Sequence, residues 1–247
     1  MKQLLINLCA VAGLFAVSPA LAQADTSFAK ANEEFAAGHF LEAIDGYKAL
    51  VQSGPWSATL FYDLGNAYFR AGDFGQAILN YERALALEPR HPEAEANLRI
   101  ARDEARALEL AVTAPERSLQ LLTLSQYTIG AAIAFWLGIF GIVIWIFYRR
   151  RWASLIALSI LSLLVFASAV AAIIWIDNGN KGSTLAIVTD KGVEARVATA
   201  ENANTVLALP AGSEIRIVSK RGDWIYAVLP NNLRGWIPAK SAESVRL

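Results

Sequence analysis

Apolar and polar positions alternate along this chain in four different ways, and each way predicts a different element. Lys2 is followed by a mostly apolar run from Leu4 to Val17, broken by Asn7, and then by Pro19 and Ala20-Leu21-Ala22. From about Thr26 to Leu110 the apolar positions follow helical spacing, interrupted by glycine turns. Charge then vanishes: none falls between Arg117 and Arg149, or between Arg151 and Asp177. Beyond residue 184, short alternating runs such as Ile215-Arg216-Ile217-Val218 and Trp224-Ile225-Tyr226-Ala227-Val228, set between Gly, Asn and Pro turns, predict strands.

The helical stretch repeats itself at the tetratricopeptide period of roughly 34 residues. Asn32, Phe35, Gly38, Phe40, Ala43, Ile44, Tyr47 and Pro55 recur as Asn66, Phe69, Gly72, Phe74, Ala77, Ile78, Tyr81 and Pro89. Each unit also has the order that this pattern requires: helix, glycine turn, helix and a terminating proline. The second unit carries the signature in Leu64, Gly65, Tyr68, Gly72, Ala77, Tyr81, Ala84 and Pro89, whereas the first has Ala31 where Gly65 stands and Lys30 where Leu64 stands. We expect a repeat domain over 26–110, with units at about 24–57 and 58–91 and a capping helix over 92–110 that covers the last repeat. Such arrays bind extended peptides on the face made by the first helix of each unit. Here that face should present Phe28, Asn32 and Phe35 from the first unit and Tyr62, Asn66, Phe69 and Arg70 from the second. The two asparagines would either hold a peptide backbone through its N–H and C=O groups or tie neighbouring helices together.

The uncharged stretches predict membrane spans over 127–148 and 152–176, about 33 and 37 Å long as helices. Their connection is Arg149-Arg150-Arg151, a 149–151 loop so short that the spans must form an antiparallel hairpin, with its three arginines in the cytoplasm. Gly130, Ala134 and Gly138 share a helix face on which either the two spans would pack or another membrane protein would bind. The N-terminus reads as a signal peptide over 1–22, cleaved after Ala22 or retained as an anchor. Signal and hairpin then agree on one topology: a multi-pass protein of a bacterial inner membrane, with both flanking domains periplasmic or otherwise outside the cytoplasm.

Composition supports this reading, since 55% of the 247 residues are hydrophobic and only 18% charged. The formal net charge of zero conceals an acidic helical region, with 9 basic and 15 acidic residues over 23–124, and a mildly basic tail, with 9 and 7 over 177–247. Nucleic acid is therefore not an expected partner. A single cysteine, Cys9, and two histidines, His39 and His91, exclude a disulfide framework and a multi-thiolate metal site. No phosphate loop, metal motif or nucleophile elbow occurs, both histidines fall in turns and read as solvated, and the spans hold no ionisable residue for a proton relay. The expectation is a protein that is not an enzyme and uses no cofactor.

The tail carries Val193-x-Ala195-Arg196, Leu209-Pro210-Ala211-Gly212, Gly222-Asp223-Trp224 and Arg234-Gly235-Trp236-Ile237-Pro238 in that order. Over 184–247 it resembles a bacterial SH3-like domain, which implies a small all-β barrel. Trp224, Tyr226 and Trp236 would line a groove for a peptide or for peptidoglycan, or else close the barrel core. The whole order of signal, short repeat array, arginine-linked hairpin and SH3-like tail resembles the BatE proteins of the aerotolerance (Bat) group. The string from Leu64 to Leu85, followed by Asn97-Leu98, is especially similar to that family. The resemblance implies partnership with von Willebrand A-domain membrane proteins and, indirectly, with a MoxR-type AAA ATPase. The expected fold is thus a multi-domain membrane protein: an all-α tetratricopeptide array, a two-helix transmembrane hairpin and an SH3-like barrel. Its expected role is an envelope scaffold or adaptor that binds protein partners; a peptidoglycan-binding sensor or anchor and an accessory subunit of a hydrolase are the alternatives.

Overall fold

The computed structural model describes residues 19–112, 114–119, 122–147, 153–179 and 182–246, and the chain divides into two compact units between Ala101 and Arg102. The expected signal peptide up to Ser18 and the Arg149-Arg150-Arg151 loop lie outside the described residues.

The first unit is a succession of antiparallel helices: α1 (Pro19–Ala36), α2 (Phe40–Ser53), α3 (Ala58–Arg70), α4 (Phe74–Leu87) and the start of α5 (Pro92–Ala105). Pro19 opens α1, as proline can where its missing N–H would have had no helical partner, and the expected cleavage point after Ala22 falls inside this helix. The α1–α2 and α3–α4 turns have the same construction. Gly38 (φ +85°) and Gly72 (φ +79°) take the left-handed conformation that ends a helix, and the next residue's N–H closes the turn, His39 on Glu34 and Asp73 on Tyr68. Ser57 and Asp73 cap α3 and α4 by accepting from the N–H of Leu60 and Gln76. The core between the helices is made of Ala31, Ala43, Ile44, Tyr47, Leu60, Leu64 and Ala67, and α5 buries Ala94, Leu98 and Ala101.

The irregular first unit is explained by where its small residue sits. In the second unit α3 supplies Gly65, against which Tyr81 lies. In the first, Ala31 faces Gly46 of α2, where an added Cβ would meet the Ala31 Cβ at 3.0 Å. The close approach survives because the glycine has moved to the partner helix.

The capping segment departs from the expected helix over 92–110. Helix α5 stops at Ala105, because Arg106 adopts φ +51° and Ala107 N–H bonds back to the Arg102 carbonyl, an end normally made with glycine. His91 is not a solvated turn residue either. Its ring stacks 4.9 Å from that of Tyr62, and its Nδ1 accepts from the Ala94 N–H at the start of α5.

In the second unit, α6 (Ala114–Leu119) precedes two long apolar helices, α7 (Leu124–Phe147) and α8 (Ala153–Asn178), each long and apolar enough to cross a membrane. They pack antiparallel: Phe135 meets Phe166, Gly138 meets Leu163 and Gly141 meets Ser159. The buried face of α7 runs through Ala131, Ala134 and Gly138, and nothing lies within 4 Å of a Cβ placed on Gly130, so Gly130 is not part of the expected packing face.

The tail folds into seven strands, β1 (Leu185–Val188), β2 (Val193–Arg196), β3 (Thr205–Leu209), β4 (Glu214–Arg221), β5 (Trp224–Val228), β6 (Arg234–Pro238) and β7 (Ala242–Ser244). They form one antiparallel sheet in the order β3-β2-β6-β5-β4-β1-β7. The expected barrel is not closed. β3 pairs only with β2 and β7 only with β1, so the sheet keeps two edges. Alternation identified the strands, but closure depends on whether the edge strands reach each other. The core side carries Val188, Val193, Ala195, Leu209, Ile215, Ile225, Ala227 and Ile237.

Candidate functional site

Phe35, Tyr62, Asn66, Phe69 and Arg70 line one groove of about 290 Å³ in the helical unit, together with Tyr81, Asn97 and Ile100. Helical spacing explains the convergence: Tyr62, Asn66 and Phe69 follow each other at intervals of four and three on α3 and so share a face. Phe35 and Phe69 each lean on the phenylalanine five residues on, at 5.5 Å from Phe40 and 5.4 Å from Phe74, so both rings are braced by their own turns. The Arg70 guanidinium sits over the Phe40 ring, 4.8 Å from its centroid, and is the sole charged group of the lining.

The polar centre is a small amide network. Asn66 Oδ1 accepts from the Tyr81 hydroxyl at 2.8 Å and from Asn97 Nδ2 at 2.9 Å, and Asn97 Nδ2 also reaches the Tyr62 hydroxyl at 3.3 Å. Both lone pairs of the Asn66 carbonyl are thereby used. Its Nδ2 and the Asn97 Oδ1 make no hydrogen bond among the described residues. The groove therefore offers one amide donor and one amide acceptor, a pair that matches the C=O and N–H of an extended chain. The Asn66 oxygen thus ties neighbouring helices together.

Asn32 has the equivalent bond, accepting from the Tyr47 hydroxyl at 2.6 Å, but it is exposed and outside the groove lining. The amide that partners Asn66 is Asn97, from α5. Sequence reasoning missed Asn97 because it lies one repeat period after Asp63, not after an asparagine. Ile100, one period after Asn66, is the position the repeat itself points to.

Ionisation near this site is governed by burial. Desolvation raises the Tyr47 phenol to about 12, with the Asp63 carboxylate adding to the rise. It raises Asp63 to about 6, against a smaller opposing pull from His91. The Tyr81 phenol is pushed up further still, by burial first and then by Tyr62, so it remains a neutral donor to Asn66.

In the sheet, Tyr226 and Trp236 are register partners with ring centroids 4.9 Å apart, and Trp224 is the partner of Pro238. Strand alternation puts these side chains on the face opposite Ile225, Ala227 and Ile237, so none of the three aromatics closes the core. Trp224 lines a polar depression of about 340 Å³ with Asp190, Glu194, Arg196, Glu201 and Pro238, while Tyr226 and Trp236 form a pair outside that lining. Among the described residues, no cluster of His, Cys, Asp and Glu has the arrangement to hold a metal ion.

No curated protein matches this chain. Residues 58–91, covering α3, α4 and the turn that follows, match the family model of the tetratricopeptide repeat, a protein-interaction fold, and carry five of the groove residues: Tyr62, Asn66, Phe69, Arg70 and Tyr81.

Proposed function

We propose that this chain is a non-enzymatic, membrane-anchored adaptor that captures an extended segment of a partner protein in the groove between α1, α3 and α5. The observation that carries the reading is the groove itself: aromatic walls from Phe35, Tyr62 and Phe69 around an unsatisfied amide donor and acceptor on Asn66 and Asn97. Aromatic walls supply apolar burial, and the amides fix backbone register without demanding a particular side chain. The hairpin of α7 and α8 anchors the protein, its outward faces rich in Ile, Leu, Phe and Trp that lipid would cover. With the signal peptide and the arginine loop setting orientation, both flanking domains lie outside the cytoplasm. The resemblance to BatE proteins makes von Willebrand A-domain membrane proteins the partners to look for first, with a MoxR-type ATPase reached through them.

The test is co-purification of the full chain from detergent, comparing the wild type with Asn66→Ala plus Phe69→Ala. The reading expects partners to be lost from the variant, and an unchanged partner set counts against the groove. A second reading, peptidoglycan recognition by the SH3-like tail, draws support from the half-buried aromatics Trp224, Tyr226 and Trp236, which lie on the face away from the sheet core. It predicts that the full chain sediments with purified sacculi and that Trp224→Ala releases it.

A further inference from the structure

The segment after α5 has no regular secondary structure, yet it is hydrogen-bonded to the sheet at Leu108 and Leu110. Leu108 N–H donates to Ser213 Oγ at 3.1 Å, the Leu108 carbonyl accepts from Glu214 N–H at 2.8 Å, and Leu110 N–H donates to Glu214 Oε2 at 3.0 Å. The Leu108 side chain packs on the sheet core and Leu110 is buried. Glu214 itself is fully buried, at 0% exposure, and its other oxygen, Oε1, accepts from Arg102 Nη2 at 2.5 Å. Arg102 is only 12% exposed and extends its second nitrogen to Glu109 Oε2 at 3.1 Å.

A carboxylate taken wholly out of water is strongly unfavourable unless charge and hydrogen bonds replace its hydration. Here those replacements, Arg102 and the Leu110 N–H, come from residues 112 and 104 positions earlier in the chain. Burial of Glu214 in the sheet therefore draws on a distant segment for its cation and one of its hydrogen bonds.

We propose that residues 102–110 are an integral strap of the C-terminal domain, which is bipartite, with the α7–α8 hairpin as an insertion and Glu214 as the latch that makes strap and sheet fold together. The hairpin allows this because its antiparallel helices start and finish at the same end. Near that end the Tyr127 hydroxyl donates to the Leu119 carbonyl and Arg246 pairs with Asp177 at 2.8 Å. The latch does not depend on a bilayer. Where the hairpin spans one, the latch adds a requirement: strap and sheet must emerge on the same face, and the domain closes only after both helices are inserted.

Hydrogen exchange read by mass spectrometry on the full chain in detergent tests the proposal. In the wild type, the amides of residues 107–111 should exchange at least about 100-fold more slowly than an unstructured peptide, as hydrogen-bonded backbone does. Arg102→Met should accelerate that segment and the β4 amides together, by about 10-fold or more, while α3 and α4 stay unchanged. Ser213→Ala, which removes only the acceptor for Leu108 N–H, should accelerate the strap and leave β5 and β6 protected. It keeps the test open should Arg102→Met unfold the sheet, an outcome that itself agrees with the latch. Exchange of 107–111 at the unstructured rate in the wild type would overturn the proposal, as would an Arg102→Met profile identical to it.

Discussion

Gly65 lies directly under the Tyr81 ring: a Cβ built on it would stand 2.7 Å from Tyr81 Cε1 and 2.8 Å from Cδ1. The ring cannot retreat, because Tyr81 is 1% exposed and its hydroxyl is committed to Asn66. Gly65→Ala is therefore expected to destabilise the helical unit despite alanine's better helix propensity. Overpacking of about 2 to 3 kcal/mol set against a propensity gain of about 1 leaves a net loss of about 1 to 2 kcal/mol. Thermal unfolding followed by circular dichroism measures it. Because the displaced ring carries its hydroxyl away from Asn66, the same variant should also capture less partner protein.

Asp63 makes stability depend on pH in an unusual direction. Burial raises its carboxyl to about 6, above the ordinary carboxylate range. Between about pH 4 and 6 the folded state holds a proton that the unfolded state has released, so stability falls as pH rises through this window and levels off above it. Asp63→Asn, neutral at every pH, should remove this component. Urea midpoints at pH 4.5 and 7 should differ less in the variant than in the wild type, with the variant gaining most at pH 7. Equal pH slopes in the two proteins would count against the shift.

The parts of this fold that can be read from the chain are those that recur. Asn66 with Tyr81, Phe69 with Phe74 and the glycine at Gly72 each occupy a position that has its counterpart one period earlier in the first unit, and each makes the same contact there. Asn97 and His91 have no such counterpart, and their roles arise only where α5 leaves the repeat. The strap was invisible for another reason. Nothing local marks Arg102 as the partner of a glutamate 112 residues away, and the ordinary helical character of Ala-Arg-Ala-Leu-Glu-Leu at 105–110 points the other way. Strand alternation likewise reveals which residues face the core, but not whether β3 and β7 come close enough to close a barrel.

Arg70 should set the charge preference of the groove, since it is the sole charged group in the lining and no acid faces it there. Replacing it with alanine is expected to weaken binding of an acidic peptide by about 5-fold, equivalent to about 1 kcal/mol for a partly screened ion pair, and to leave a neutral peptide nearly unaffected. The salt dependence separates this from lost packing on Phe40. Titrations at low and high salt should converge for the wild type and alanine variant if charge is the cause, and stay apart if packing is.

The hairpin separates two glycines that look alike in sequence. Gly130 and Gly138 are eight residues apart in α7, but a Cβ on Gly138 would lie 3.1 Å from the Leu163 side chain and 3.5 Å from the Ser159 carbonyl, whereas Gly130 has nothing within 4 Å. Gly141 is tighter again, with the Ser159 hydroxyl in the way of any side chain. That hydroxyl is held by donating to the Leu155 carbonyl at 2.8 Å, so it cannot swing aside without giving up a bond, and where the proposed hairpin spans a bilayer no replacement is at hand. If the helices lie in lipid, as proposed, little hydrophobic force acts between them and close packing of this kind is the main attraction. Gly138→Leu and Gly141→Leu should therefore drive α7 and α8 apart, and Gly130→Leu should not. Cysteines introduced at Phe135 and Phe166, whose rings are 5.3 Å apart, report the separation through their crosslinking yield. Equal yields from Gly130→Leu and Gly141→Leu would mean that the helices do not pack on the Ala131, Ala134, Gly138 face.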